Sequence, residues 1–195
     1  MQFGLFAYNY GVIKDLNVDG LVINDDLHYS KYLGMVGANY GEIYNCNVVL
    51  NSIASSSTFI NAGAISGINK GIIKDCYADV DIYASTYYDM SLGGIVGVNY
   101  NIVDSCNVLG DVYAHFDYYD ATAGGVVGTN DKDGLLSNCS SKVYVSASNL
   151  AKGSMNFGTV IGRNFGKYND NSFESYVSVG DSIHSNQVGY DMPMN

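Results

Sequence analysis

In the stretch GGIVGVNYNIVDSCNV, Gly93 to Val108, an asparagine and a cysteine stand seven residues apart in an apolar, glycine-rich run. A thiol with a polar helper is the raw material of nucleophilic catalysis, and thiols in a group are that of a zinc site. Four cysteines occur, Cys46, Cys76, Cys106 and Cys139, at intervals of 30, 30 and 33. Zinc needs ligands that converge as a tetrahedron, whereas residues at a nearly constant interval form a row. A catalytic thiol needs a base, and none of His28, His115 and His184 recurs with the cysteine. Paired carboxylates are the other candidate: Asp79, Asp81 and Asp111 could flank a sugar as acid and nucleophile, or offer hard oxygens to calcium. Yet they lack an apolar pocket that would raise one pKa, and neither an EF-hand loop nor a GGxGxD nonapeptide is present. The expectation is a protein that is not an enzyme and needs no cofactor or metal.

What positions these residues is a repeat. The chain aligned with itself gives FGLFAYN ending at Asn9, GMVGAN at Asn39, GAISGIN at Asn69, GGIVGVN at Asn99, GGVVGTN at Asn130 and GTVIGRN at Asn164. The intervals are 30, 30, 30, 31 and 34, a period that marks a solenoid, propeller or array. Four residues before each asparagine stands an apolar residue (Leu5, Met35, Ile65, Ile95, Val126, Val160), and two before it a small one (Ala7, then Gly37, Gly67, Gly97, Gly128, Gly162). Two after it come Gly11, Gly41, Gly71 and Asn101, types that tolerate positive φ at a corner, and Asp15, Asn45, Asp75, Ser105 and Asn138 give a second turn signal. Strict alternation follows, with Leu16 and the four cysteines, then Val18, Val48, Ala78 and Val108, and later Val22, Ile82, Val112 and Val145 facing inward. That is a strand with one buried face.

Each period thus supplies two short strands, a longer one, two corners and a connector of roughly nine residues such as STYYDMSL or HFDYYDATA. Hairpin turns of NG or DG type are scarce, so the pattern predicts an all-β parallel β-helix (β-solenoid), taken as right-handed, rather than a sandwich or propeller. Six coils at about 4.8 Å each make a rod about 30 Å long. The coils are placed at 3–32, 33–61, 62–92, 93–123, 124–156 and 157–183, within one domain that ends in a tail over 184–195. In such a rod Asn9, Asn39, Asn69, Asn99, Asn130 and Asn164 form a side-chain ladder at a corner. The cysteines form a core row, preferred as free thiols over disulfides between coils.

The net charge of -10, from 19 acidic and 9 basic residues, offers no field to gather phosphates, which argues against nucleic acid. No apolar run approaches the length of a membrane span, so no membrane insertion is expected. Phe3 already belongs to the first repeat, which suggests a module of a larger polypeptide.

The pattern G-G-[ILV]-V-G-x-N, then x-G-x-I, then [ND]-C-x-V, as in GGIVGVNYNIVDSCNVLGDV, resembles the GLUG repeat. That repeat is found in tandem in large secreted and surface-anchored bacterial proteins, including some immunoglobulin A-specific metallopeptidases. Four copies match well; the first has Leu16 in place of cysteine, and the sixth, NFGKYNDNSFESYVSV, has no cysteine and an insertion. The resemblance implies an extracellular or bacterial cell-surface location. It implies no peptidase activity, since the zinc motif of those enzymes lies outside the repeats and no HExxH occurs here.

Function should sit where the copies differ. The connectors mix aromatics with acids, and stacking would gather Tyr29, Tyr87, Tyr88, Phe116, Tyr118 and Tyr119 on one side. Asp79, Asp81 and Asp111, with Tyr83 and Tyr113 beyond them, would line the outer face of the long strands. Such surfaces can grip a host protein or a glycan. Alternatively the connector rings lie back over Val96 and Val127, and a polysaccharide-active β-helix is the second functional reading. End-to-end self-association through exposed terminal coils is a third.

Overall fold

A computed structural model of the chain describes residues 1–25, 31–56, 58–116, 120–149, 154–179, 182–184 and 188–191. The fold is an all-β parallel solenoid of six coils, with no helix among the described residues. Each coil contributes one strand to each of four sheets. In the third coil these are Ile60–Ala62, Ser66–Asn69, Ile72–Lys74 and Tyr77–Thr86. Successive copies pair in parallel, in register, so that Asn69 lies beside Asn39 on one side and Asn99 on the other.

The structure has one more strand per coil than the pattern predicts. The second half of each expected connector is a short strand, such as Met90–Gly93 or Ala121–Gly124, which belongs to the first sheet. Its alternation spans only two inward positions, Met90 and Leu92 or Ala121 and Ala123, too short to register as a period. Val96 and Val127 are also fully buried, as part of the main core.

The small column has a packing cause. A Cβ on Gly67 would fall 2.6 Å from the backbone nitrogen of Leu33, and one on Gly97 2.7 Å from that of Ala62. Gly128 stands in the same relation to Leu92, and Gly162 to Ala123. Each glycine lets the second sheet lie against the first-sheet strand of the preceding coil.

The two corners differ from expectation. Positive φ occurs at the second, at Asp15, Asn45, Asp75, Ser105, Asn138 and Asp170, with φ between 48° and 56°. Short polar side chains tolerate this left-handed geometry best. The corner glycines Gly11, Gly41 and Gly71 do not adopt it; a Cβ on Gly41 would meet the Gly11 carbonyl oxygen at 2.1 Å and one on Gly71 that of Gly41 at 1.9 Å, so coil-to-coil approach demands glycine at those two, while Gly11, on the first coil, has open space around it.

Two departures lie at the ends. In the first coil the register shifts between Val18 and Leu21, where Gly20 has φ 70°. This bulge turns Val22 outward, against its expected inward place, and sends Ile23 into the core. At the other end, the expected tail over 184–195 contributes a strand, Val188–Asp191, that pairs in parallel with Ile161–Asn164. Ser182–His184 folds back antiparallel on Tyr176–Val179.

Candidate functional surface

The residues with the most chemical promise are held in the scaffold. Asn9, Asn39, Asn69, Asn99, Asn130 and Asn164 are joined head to tail by amide hydrogen bonds, Nδ2 to Oδ1, of 2.8 to 2.9 Å. Asn99 Nδ2 also donates to the Asn101 carbonyl, while its Oδ1 accepts from the Asn101 N–H. Every rung thus satisfies the backbone of the corner as well as its neighbours, in a site sealed from water.

Cys46, Cys76, Cys106 and Cys139 are free, buried thiols in one row. Each Sγ donates to the carbonyl two residues earlier, at 3.1 to 3.3 Å. The left-handed residue between leaves that carbonyl facing inward, and a thiol is small and apolar enough to answer it from within the core. The row is closed by Leu16 at one end and by Asn171 at the other, whose Oδ1 accepts the Cys139 N–H at 2.9 Å. Contact with neighbouring thiols, and then burial, pushes Cys46 and Cys106 up. The same contacts pull down Cys76, flanked on both sides by donors, while burial opposes any charge in the row.

Outward positions carry the remaining candidates. Asp81 pairs with Asp111 and Tyr83 with Tyr113 across adjacent long strands; the two rings stack at 4.9 Å with planes 8° apart. Both aspartates are exposed, and Asp79 is half-buried beside Leu109 and Val49. Tyr87 and Tyr88 are exposed on the short connector that remains. Phe116, expected among the contact residues, is instead completely buried and packs at 6.4 Å from the Phe157 ring, because it closes the inward alternation of its strand. Tyr29, Tyr118 and Tyr119 lie outside the described residues. His115 belongs to the long strand Asn107–Phe116, where its Nδ1 is 2.7 Å from Ser148 Oγ; the Tyr113 hydroxyl donates to that same oxygen at 2.6 Å. A serine that accepts from a tyrosine is a weakened nucleophile, so the trio reads as a surface polar network.

The reading of the sequence missed a further feature. The residues directly after the ladder asparagines, Tyr10, Tyr40, Lys70 and Tyr100, form a column on the outer corner. Tyr10 and Tyr40 stack at 5.0 Å, and Lys70 Nζ sits 5.6 Å from the Tyr40 ring centre and 5.4 Å from that of Tyr100. Beside this wall runs an open groove of ≈ 400 Å³. Its floor is Gly11, Gly41 and Gly71, its far wall Val12, Glu42 and Ile72, and Asn101 stands at its end in the column that is otherwise glycine. The signal was present as tyrosine at the same place in three copies, hidden because the fold needs nothing of that column.

No family model matches the chain, and no curated protein matches it. Among solved structures, a Bacteroides ovatus protein provisionally named an immunoglobulin A1 protease is similar, with a TM-score of 0.58 and 18% identity. This chain shares that protein's fold. The match covers 98% of the chain and 64% of the Bacteroides protein's length. Both the stacked coils described above and this likeness concern the scaffold.

Proposed function

We propose that this chain is a non-catalytic repeat module of an extracellular or cell-surface bacterial polypeptide, a rigid spacer that also holds out an interaction surface toward a host protein or a glycan. The observation that carries this reading is that the recurring asparagines and cysteines are consumed by the ladder and the core row, leaving the variable outward columns to meet partners. The GLUG-like pattern and the fold likeness to the Bacteroides protein support an extracellular setting. Incubation of the chain with immunoglobulin A1 and with neutral and acidic polysaccharides should release no fragment. Cleavage would overturn the reading.

A polysaccharide-active β-helix is the second reading, favoured by one observation. Asp81 and Asp111 face each other in register on adjacent strands, about 4.8 Å apart along the rod, near the separation of about 5 Å that retaining glycosidases use. Product formation that vanishes in Asp81→Asn and Asp111→Asn would establish it.

End-to-end association is supported by the first coil, where Leu5, Val12 and Val22 are 54%, 58% and 67% exposed beside unpaired strand edges. A mass by light scattering that stays at 21.0 kDa over a wide concentration range would exclude it.

A further inference from the structure

We infer that the corner groove of the first three coils is a binding site for a neutral oligosaccharide laid along the rod axis. The inference deepens the reading of the chain as a non-catalytic interaction module and rests on it. Three features of the groove select the ligand class.

The first is shape. The groove repeats with the coil, so its contacts recur at about 4.8 Å along a straight line, which suits an extended chain of similar units rather than a single compact molecule. The residues after the ladder asparagines make one wall, and those two places further on make the other. Where the fourth coil puts Asn101 in the glycine column, the floor ends.

The second is charge. Lys70 is exposed and has no carboxylate at ion-pair distance among the described residues; it is held instead over Tyr40 and Tyr100. Glu42 stands on the opposite wall. With one cation and one anion in its lining the groove carries no net charge, while the whole chain carries -10. An anionic polymer meets repulsion from the surface, and a cationic one meets Lys70. A neutral polyhydroxyl chain can accept from the ammonium and donate to the carboxylate at the same time.

The third is surface character. Tyr10, Tyr40, Val12 and Ile72 supply apolar area and phenolic oxygens in one shallow, wet channel. Sugars present both C–H faces and hydroxyls, so they match such a mixed lining, whereas a purely apolar ligand would strand Lys70 and Glu42. The tyrosine stack and the ladder beneath it hold the lining in place before any ligand arrives, which reduces the ordering cost of binding.

The experiment is a titration of the isotopically labelled 195-residue chain with cellopentaose, maltopentaose and mannopentaose, read by amide NMR shifts, with an oligogalacturonate and a tyrosine-rich peptide as alternative probes. At least one neutral pentasaccharide should shift resonances of residues 10–12, 40–42 and 70–72, with an affinity that changes little with salt. Tyr40→Ala and Lys70→Ala should each weaken it by about tenfold, and Glu42→Gln by a smaller factor. Tyr176→Ala, an exposed ring on another face, should leave it unchanged, and the spectrum of each variant reports its fold directly. The inference falls if no neutral sugar moves these residues, if only the oligogalacturonate binds with steep salt dependence, if the peptide alone occupies the groove, or if the shifts map to Tyr83 and Tyr113. In each of those cases the non-catalytic module survives; release of cleavage products from a pentasaccharide would instead overturn the module reading itself.

Discussion

Leu5 and Ile95 occupy the same column of the repeat, four residues before a ladder asparagine, yet Leu5 is 54% exposed and Ile95 is completely buried. The difference lies in what stacks on each. Ile95 has a coil on either side, whereas Leu5 has a coil on one side only. The ladder shows the same contrast: Asn99 both accepts an amide bond from Asn69 and donates one to Asn130, while Asn9 donates to Asn39 with no rung before it. In a solenoid, burial is therefore a property of neighbours, and one residue type in one column contributes differently at the centre and at the end.

Truncation of the apolar column gives the widest separation. Ile95→Ala should cost about 2–5 kcal/mol, because a packed centre cannot collapse around the cavity. Leu5→Ala should stay within about 0.5 kcal/mol, as at an ordinary surface site. Urea denaturation of the two variants checks this, and equal losses would mean that the first coil is covered in solution. Cutting the ladder comes next. Asn99→Ala strands the Asn69 amide and the Asn101 N–H in a buried site and should cost about 2–3 kcal/mol, against about 1 kcal/mol for Asn9→Ala. Hydrogen exchange would show the loss spreading to both neighbouring coils for Asn99 and to one for Asn9.

The same contrast explains what the sequence discloses. Columns that every coil must fill were readable: the ladder asparagines, the cysteine row and the inward alternation of the long strand all follow from a period near 30. The first-sheet strand was not, because Met90–Gly93 offers just two inward side chains and its role appears only once the glycine column is seen pressed against it. Val22 was misplaced since a one-residue bulge at Gly20 inverts faces, and nothing local distinguishes that from plain alternation. Phe116 looked like a connector aromatic until the strand proved long enough to carry it inside. The groove column is the opposite case: its tyrosines recur in three copies, yet the fold needs nothing of them, so no core or corner rule picks them out.

Centre and end should also differ in the cysteine row, by a smaller amount. Cys106 has a thiol on each side, whereas Cys46 borders Leu16 and Cys139 borders Asn171. Cys106→Ala should cost about 1–2 kcal/mol, from lost packing and one unanswered carbonyl. Under native conditions a thiol reagent should label Cys46 and Cys139, next to the less regular terminal coils, faster than Cys76 and Cys106. Uniform labelling of all four would mean that the rod opens as one unit rather than fraying from its ends.

The smallest effect belongs to an outer corner, where a charge rather than a core contact joins the coils. Asp104 lies against the next coil, accepting from Ser137 Oγ at 2.7 Å and Asn138 Nδ2 at 2.8 Å, and pairs with Lys74 of the preceding coil at 3.3 Å. Its partial burial raises the carboxyl pKa, but the bonds from Asn138 and Ser137 and the Lys74 charge outweigh this, so the folded-state value lies below the ordinary one. A depressed folded pKa means that the unfolded chain takes up the proton first. The stabilisation is therefore complete above the unfolded value, about pH 4, and disappears as pH falls through the folded one. Because the group remains in contact with solvent, Asp104→Asn should cost less than about 1 kcal/mol at pH 7. The loss should begin to shrink as pH falls below about 4 and reach zero only below the folded-state value, where wild type and variant are both uncharged at this position. An unchanged difference at low pH would assign the effect to altered packing at Ser137 and Asn138 instead of to the charge that ties three coils together.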